Sequence, residues 1–151
     1  MDTNFAFVVF ALASQVLLIA FFASHLLRSS VEAVVGRLVY ALGALALLLA
    51  AAFAVAGAPW YHVLAFVLYA AWAAFGASVD LIRPTQWREP QRWGIVVPYV
   101  FLLVAALFAL WIPLWYIDWN AWLAFGSLYA IHTVMNLASH VVARRAAAHP
   151  L

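Results

Sequence analysis

Long apolar runs fill most of the chain. Five of them cover residues 5–27, 38–58, 60–82, 95–117 and 119–143. A helix needs about 20 residues to cross the ~30 Å hydrocarbon core of a bilayer, and each run reaches that length. The pattern therefore predicts an all-α polytopic membrane protein, a single domain over residues 1–151 built as a bundle of five transmembrane helices.

The first apolar run is expected to be a retained span and not a signal peptide. The stretch before it carries Asp2 and no basic residue. The run is also longer than the apolar core of a signal peptide, and it reaches Arg28 without a small-residue cleavage site.

Composition excludes several classes of protein. Apolar residues make up 70% of the chain and charged residues 8%, whereas soluble domains are about half apolar and about a quarter charged. A soluble enzyme, a nucleic-acid binder and a disordered chain are therefore excluded. The chain holds no cysteine, which removes disulfides and thiolate metal sites, and no lysine, which removes a retinal-type Schiff base.

The arginines predict the orientation of the bundle. With five spans, all seven bases of the chain fall in connections on one side of the membrane. Cytoplasmic loops carry such an excess, so we expect the N-terminus outside, the C-terminus in the cytoplasm and a multi-pass location in the cell's inner (plasma) membrane. Tryptophans cluster near the predicted outer boundary, where their half-polar rings are favoured; they are Trp60, Trp111, Trp115, Trp119 and Trp122.

One face of the fifth run is polar. At about 100° per residue its hydrogen-bonding side chains fall within an arc of ~140°. They include Tyr129, His132, Thr133, Asn136, Ser139 and His140. Polar groups inside a span are costly and must face protein or a wet cavity. The stripe predicts a ligand site or, as the alternative, a polar path through an oligomeric transport or channel subunit.

Three ionisable residues on three different runs share one depth. His25, Asp80 and His140 each lie about one turn inside the predicted cytoplasmic boundary. If the protein is an enzyme, Asp80 with His140 or His25 would supply general acid–base catalysis. The alternative is that all three are interfacial residues at helix ends, with Asp80 paired to Arg83 or Arg88.

The preferred hypothesis is that a polar site in the cytoplasmic half of the bundle binds an apolar or amphipathic small molecule, such as an isoprenoid, a pigment or a lipid. If the protein is an enzyme, the same site would also transform that molecule. The predicted ligand-binding residues of the site are Gln15, Phe22, Tyr69, Trp72, Tyr129, His132, Thr133 and Asn136. No cofactor or metal is predicted. The third reading is a haem-bearing or structural subunit of a larger complex, in which His25 with His140 or His132 would hold haem b.

Expected partners are membrane lipid, the small molecule, and a homo-oligomer or membrane complex, but no nucleic acid.

Small residues at helical spacing in the second and third runs predict a close helix–helix scaffold. They include Gly43, Ala46, Ala50, Ala73 and Ala77.

Overall fold

A computed structural model describes residues 2–27, 30–82 and 92–148, with side chains up to residue 138. The described residues form five α-helices. In chain order they are α1 (Thr3–Leu26), α2 (Glu32–Val55), α3 (Trp60–Ala77), α4 (Trp93–Ile117) and α5 (Trp119–Ala148). A π-helical segment, Ser78–Ile82, continues α3 without a break. The prediction of an all-helical chain is confirmed for this part of the sequence.

Four helices in the described part of the chain are long and apolar enough to cross a membrane. They are α1, α2, α3 together with its π-helical segment, and α4. Their length and composition are consistent with a membrane protein. The helix α5 is longer than any of them, but polar residues such as His132 and Asn136 lower its mean hydropathy.

Two helices extend well beyond the predicted apolar runs. The helix α2 begins at Glu32 and not at residue 38, and α5 continues to Ala148 and not to residue 143. The hydropathy pattern shows which part of a helix is apolar. The helix itself extends as far as its backbone hydrogen bonds continue, so its polar ends lie outside the predicted run. Glu32 and Arg37 therefore lie inside the first turns of α2.

The helices form a ring in chain order. The helix α3 packs between α2 and α4, while α5 packs against α4 and closes the ring on α1. Side-chain contacts join the early part of α1 to the early part of α3, through Phe7 and His62, and the middle of α1 to the middle of α5, through Gln15 and His132. Ring contacts pair the end of α2 with the start of α3 through Phe53 and His62, and the end of α4 with the start of α5 through Trp115 and Trp119. Trp72, in the later part of α3, faces Tyr99 near the start of α4. The helices α1, α3 and α5 therefore run in the same direction, with α2 and α4 antiparallel to them.

This arrangement gives the ring two distinct ends. Arg37 and Arg92 lie at the end where α1 finishes, α2 begins and the π-helical segment lies, which we call the basic end. The opposite end holds the α4–α5 turn, where Asp118 accepts a hydrogen bond from the backbone N–H of Asn120 at 2.8 Å and caps α5.

Small residues bring α2 and α3 close together, as their spacing predicts. A Cβ added to Gly43 would lie 2.3 Å from the Cβ of Ala73, so any side chain there would force the helices apart. Ala46 and Ala50 are buried on the same helix. Membrane helices gain packing energy from this close approach because lipid provides no hydrophobic drive between them.

The outer surface of the ring is apolar. Large side chains such as Leu48, Phe101 and Val134 are exposed on α2, α4 and α5. Contiguous apolar surface of this kind is rare on soluble monomers and suits contact with lipid acyl chains.

Candidate functional site

The π-helical segment at the end of α3 carries Asp80. A π-helical turn is wider than an α-helical one, is rare, and often occurs at functional sites. Asp80 is half-buried, and its Oδ2 accepts a hydrogen bond from the hydroxyl of Tyr40 on α2 at 2.5 Å. The pair joins the start of α2 to the end of α3 through a charge-assisted hydrogen bond.

Gly76 makes room for the Tyr40 ring. A Cβ added at Gly76 would lie 2.5 Å from Cε1 of Tyr40 and 3.0 Å from its hydroxyl oxygen. The ring therefore lies directly against the backbone of α3, one turn before Asp80. On the next turn back, the Trp72 ring lies 6.2 Å from that of Tyr40 and 5.9 Å from that of Tyr99. An aromatic cluster thus supports the pair from α2, α3 and α4.

A half-open cavity of about 490 Å³ adjoins the Asp80–Tyr40 pair. It lies between the end of α1, the start of α2 and the π-helical segment. Its volume falls within the ~300–1,000 Å³ of typical ligand sites. The residues that line it are Phe21, Ser30, Glu32, Ala33, Gly36, Arg37, Tyr40, Asp80 and Leu81.

The cavity wall is divided between charged and apolar groups. Arg37 is exposed and makes no ion pair with any residue in the described ranges. Nδ1 of His25 lies 2.8 Å from Oε1 of Glu32, and the His25 and Glu32 side chains are 47% and 38% exposed. An ion pair as exposed as this one contributes about 0–1 kcal/mol. Phe21 and Leu81 supply apolar surface beside these charges.

The three predicted catalytic residues have separate surroundings. Asp80 lines the cavity and accepts from Tyr40. His25 is exposed and pairs with Glu32 at the edge of the cavity. His140 lies in α5, and its side chain is outside the described residues. His25 and Asp80 therefore take different partners, both of which come from the first turns of α2.

A second polar contact lies in the middle of the ring, between α1 and α5. Nδ1 of His132 lies 2.8 Å from Oε1 of Gln15, and both side chains are buried. The Phe22 ring stacks on the imidazole at 6.1 Å, and the Tyr129 ring meets it edge-on at 5.1 Å. Four of the predicted ligand-binding residues therefore form one internal cluster, which is separate from the walls of the cavity.

The other predicted ligand-binding residues divide into two kinds. Tyr69 and Trp72 are fully buried in the aromatic cluster, and neither the hydroxyl nor the indole N–H has a hydrogen-bond partner among the described residues. Thr133 donates to the carbonyl oxygen of Tyr129 in its own helix at 2.8 Å. Asn136 is half-buried and already engaged in an interaction.

Sequence reasoning missed the α2 side of the cavity. Glu32, Gly36, Tyr40 and Arg37 fall within an arc of about 140° on α2, because successive residues of a helix are about 100° apart. That spacing is readable in the sequence. The predicted run begins at residue 38, however, so Glu32, Gly36 and Arg37 fall in a predicted connection and only Tyr40 falls in the run.

Within the described ranges, no group of three or more His, Asp or Glu side chains is placed to hold a metal ion. Of the histidines considered for haem, His25 is exposed beside Glu32 and His132 is buried beside Gln15. The ring of His62 is buried and stacks on Phe7 with centroids 4.2 Å apart.

Comparison of the chain with protein-family models, with curated proteins and with solved structures gave no match.

Proposed function

We propose that this chain is a multi-pass plasma-membrane protein that binds an amphipathic small molecule in the cavity at the basic end. The observation that carries the proposal is the cavity itself, which sets Arg37 and the Asp80–Tyr40 pair beside the apolar Phe21 and Leu81. A ligand with a polar head and an apolar body, such as an isoprenoid, a pigment or a lipid, matches both halves of this wall.

The local backbone supports a binding role for Asp80. Bringing a carboxylate to the end of a membrane helix is costly, and the tyrosine hydroxyl that it accepts offsets part of that cost. The π-helical segment adds a second cost, because its hydrogen bonds depart from the regular α-helical ladder. Features of this kind persist where a site needs them, and here they aim a carboxylate at a cavity of ligand size.

The proposed orientation places the basic end, and so the cavity, in the cytoplasmic half of the membrane. It counts α5 as a fifth span, with its polar His132 facing Gln15 and its apolar Ile131 and Val134 facing outwards. All seven arginines of the sequence then fall on one side, as the positive-inside rule expects.

Reporter fusions test this orientation. A reporter after Leu151 should read cytoplasmic, and one between Ala58 and Pro59 should read external. Opposite readings at either position would refute the proposed topology.

A cavity-filling substitution tests the binding site. Ala33 is exposed and lines the cavity, so Ala33→Phe should fill part of it without disturbing the interior of the ring. Ala44→Phe is the matched control, because Ala44 is exposed on the same helix outside the cavity. The purified full chain in maltoside micelles would be titrated with a fluorescently labelled lysolipid. We expect Ala33→Phe to weaken binding at least ~10-fold, the equivalent of about 1.4 kcal/mol. Equal binding by both variants and the wild type would refute the proposal.

A further inference from the structure

We infer that the α4–α5 turn binds a lipid whose head group carries an ammonium group. The binding surface consists of Trp115, Asp118, Trp119 and Trp122, which we call the turn cluster. It lies at the end of the ring opposite the cavity, so its occupancy is independent of the proposed function. The geometry of the tryptophan rings, the partners of Asp118 and the charges at this end all support the assignment.

The tryptophans of the turn cluster present indole faces at right angles to each other. The ring of Trp115 meets those of Trp119 and Trp122 edge-on, with centroids 4.6 and 4.9 Å apart and planes at 85° and 90°. Trp119 and Trp122 stack on each other at 4.9 Å. These contacts hold the rings in place, yet Trp115 and Trp119 remain 50% and 48% exposed. The face of an indole ring carries negative charge density and attracts a cation more strongly than any other aromatic side chain.

Asp118 adds a carboxylate between the two exposed rings in the sequence. Its Oδ1 accepts the backbone N–H groups of Asn120 at 2.8 Å and Ala121 at 3.2 Å. Its Oδ2 takes no hydrogen bond or ion pair in the part of the chain that the structure describes, and the residue is exposed. The carboxylate therefore caps α5 with one oxygen and offers the other, with its charge, to an incoming cation.

The charges at this end favour a cation and disfavour an anion. The sequence has no arginine or lysine in residues 1–27, 38–82 or 93–143, which include the start of α1 and the α2–α3 and α4–α5 turns. Asp2, which caps α1, adds a second carboxylate at the same end as Asp118. A cationic group near the turn cluster would therefore be attracted, and an anionic head group would be repelled.

An acyl chain attached to the ammonium group fits the surface beside the turn cluster. Ile112 lies one turn before Trp115 on α4, and Leu123 lies one turn after Trp119 on α5; they are 57% and 45% exposed. Tryptophans favour the head-group level of a bilayer, so the chain of a bound lipid would continue along these apolar residues. Trp60 is also exposed at this end, but no carboxylate lies within a turn of it in the sequence.

The test compares three lysolipids of equal chain length on the purified full chain in maltoside micelles, read by native mass spectrometry. They are lysophosphatidylcholine, its analogue in which a tert-butyl group replaces the trimethylammonium group, and lysophosphatidylglycerol. We expect lysophosphatidylcholine to bind at least ~5-fold more tightly than either of the others. Equal binding of lysophosphatidylcholine and its tert-butyl analogue would overturn the inference, because shape and chain alone would then account for binding.

Variants of the turn cluster locate the site. Trp119→Leu should weaken lysophosphatidylcholine at least ~5-fold, and Trp119→Phe should weaken it less because an aromatic face remains. Asp118→Asn keeps the capping oxygen and removes the charge, so it should also weaken lysophosphatidylcholine while the tert-butyl analogue binds as before or more tightly. Trp60→Leu is the matched control, since Trp60 has no ring contact with the turn cluster in the described contacts. Equal effects of Trp119→Leu and Trp60→Leu, or unchanged binding by Asp118→Asn, would overturn the inference.

Two further measurements separate this site from the cavity and a lipid from a soluble ammonium compound. Ala33→Phe should leave the preference for lysophosphatidylcholine unchanged. If it removes that preference, the choline site belongs to the cavity, and the assignment to the turn cluster fails while the proposed function stands. Free choline, which has no chain, should compete at least ~10-fold more weakly than the lysolipid. Equal competition would identify a soluble ammonium compound and refute the lipid.

Discussion

The buried contact between Gln15 and His132 links two helices that lie at opposite ends of the sequence. Gln15→Leu keeps the approximate volume of the side chain and removes the acceptor of the 2.8 Å hydrogen bond. His132 is 3% exposed, so its Nδ1 would be left in the interior without that partner. We expect this substitution to destabilise the folded chain without affecting the cavity at the basic end.

The size of the effect follows from the burial and from the membrane reference state. A buried polar group left unsatisfied costs about 1–3 kcal/mol in soluble proteins. Contacts between membrane helices average about 0.6 kcal/mol and reach about 1.7, because the dissociated helices find other partners. Both side chains here are almost fully buried, so we place the cost near the upper end, at about 1–2 kcal/mol. For a chain of this size that corresponds to a fall in Tm of about 2–8 °C.

Thermal unfolding in maltoside, followed by tryptophan fluorescence, measures the effect. A double-mutant cycle with His132→Leu isolates the pair, and the double variant should be more stable than the sum of the single effects predicts by ~1 kcal/mol. Thr133→Val is the control on the same helix, because the Thr133 hydroxyl bonds only to its own helix in the described contacts. Additive single effects, or a Gln15→Leu Tm equal to that of Thr133→Val, would refute the reasoning.

Three further predictions concern the scaffold. Gly43→Val should destabilise the α2–α3 contact by about 1–3 kcal/mol because its side chain would meet Ala73. The smaller change Gly43→Ala should also lower the Tm, and adding Ala73→Gly to it should partly restore the Tm. Asp118→Ala should cost about 1 kcal/mol by removing the α5 cap while Asp118→Asn stays near wild type, as thermal unfolding would reveal. Trp111→Phe should lower the Tm by removing the 3.0 Å hydrogen bond from its indole N–H to the Trp122 carbonyl; an unchanged Tm would contradict this.

The sequence by itself determined the helical architecture and the distribution of charge. Long apolar runs can satisfy their backbone in lipid only as helices, so composition and length were enough to predict them. Gly43 and Ala73 signalled close packing because only small residues allow it. Residue spacing also placed His132 on the polar face of the fifth run, since the helical period is constant.

Only the tertiary structure decided which polar groups meet. Asp80 and Tyr40 are 40 residues apart, and Gln15 and His132 are 117 apart. Spacing within a helix gives the face of each residue, but the partner depends on how each helix is rotated and on which helices are neighbours in the ring. The π-helical segment has no distinct composition, because it differs from an α-helix only in its hydrogen-bond pattern. The cavity formed where Asp80 meets α2 therefore appears only when the helices are packed.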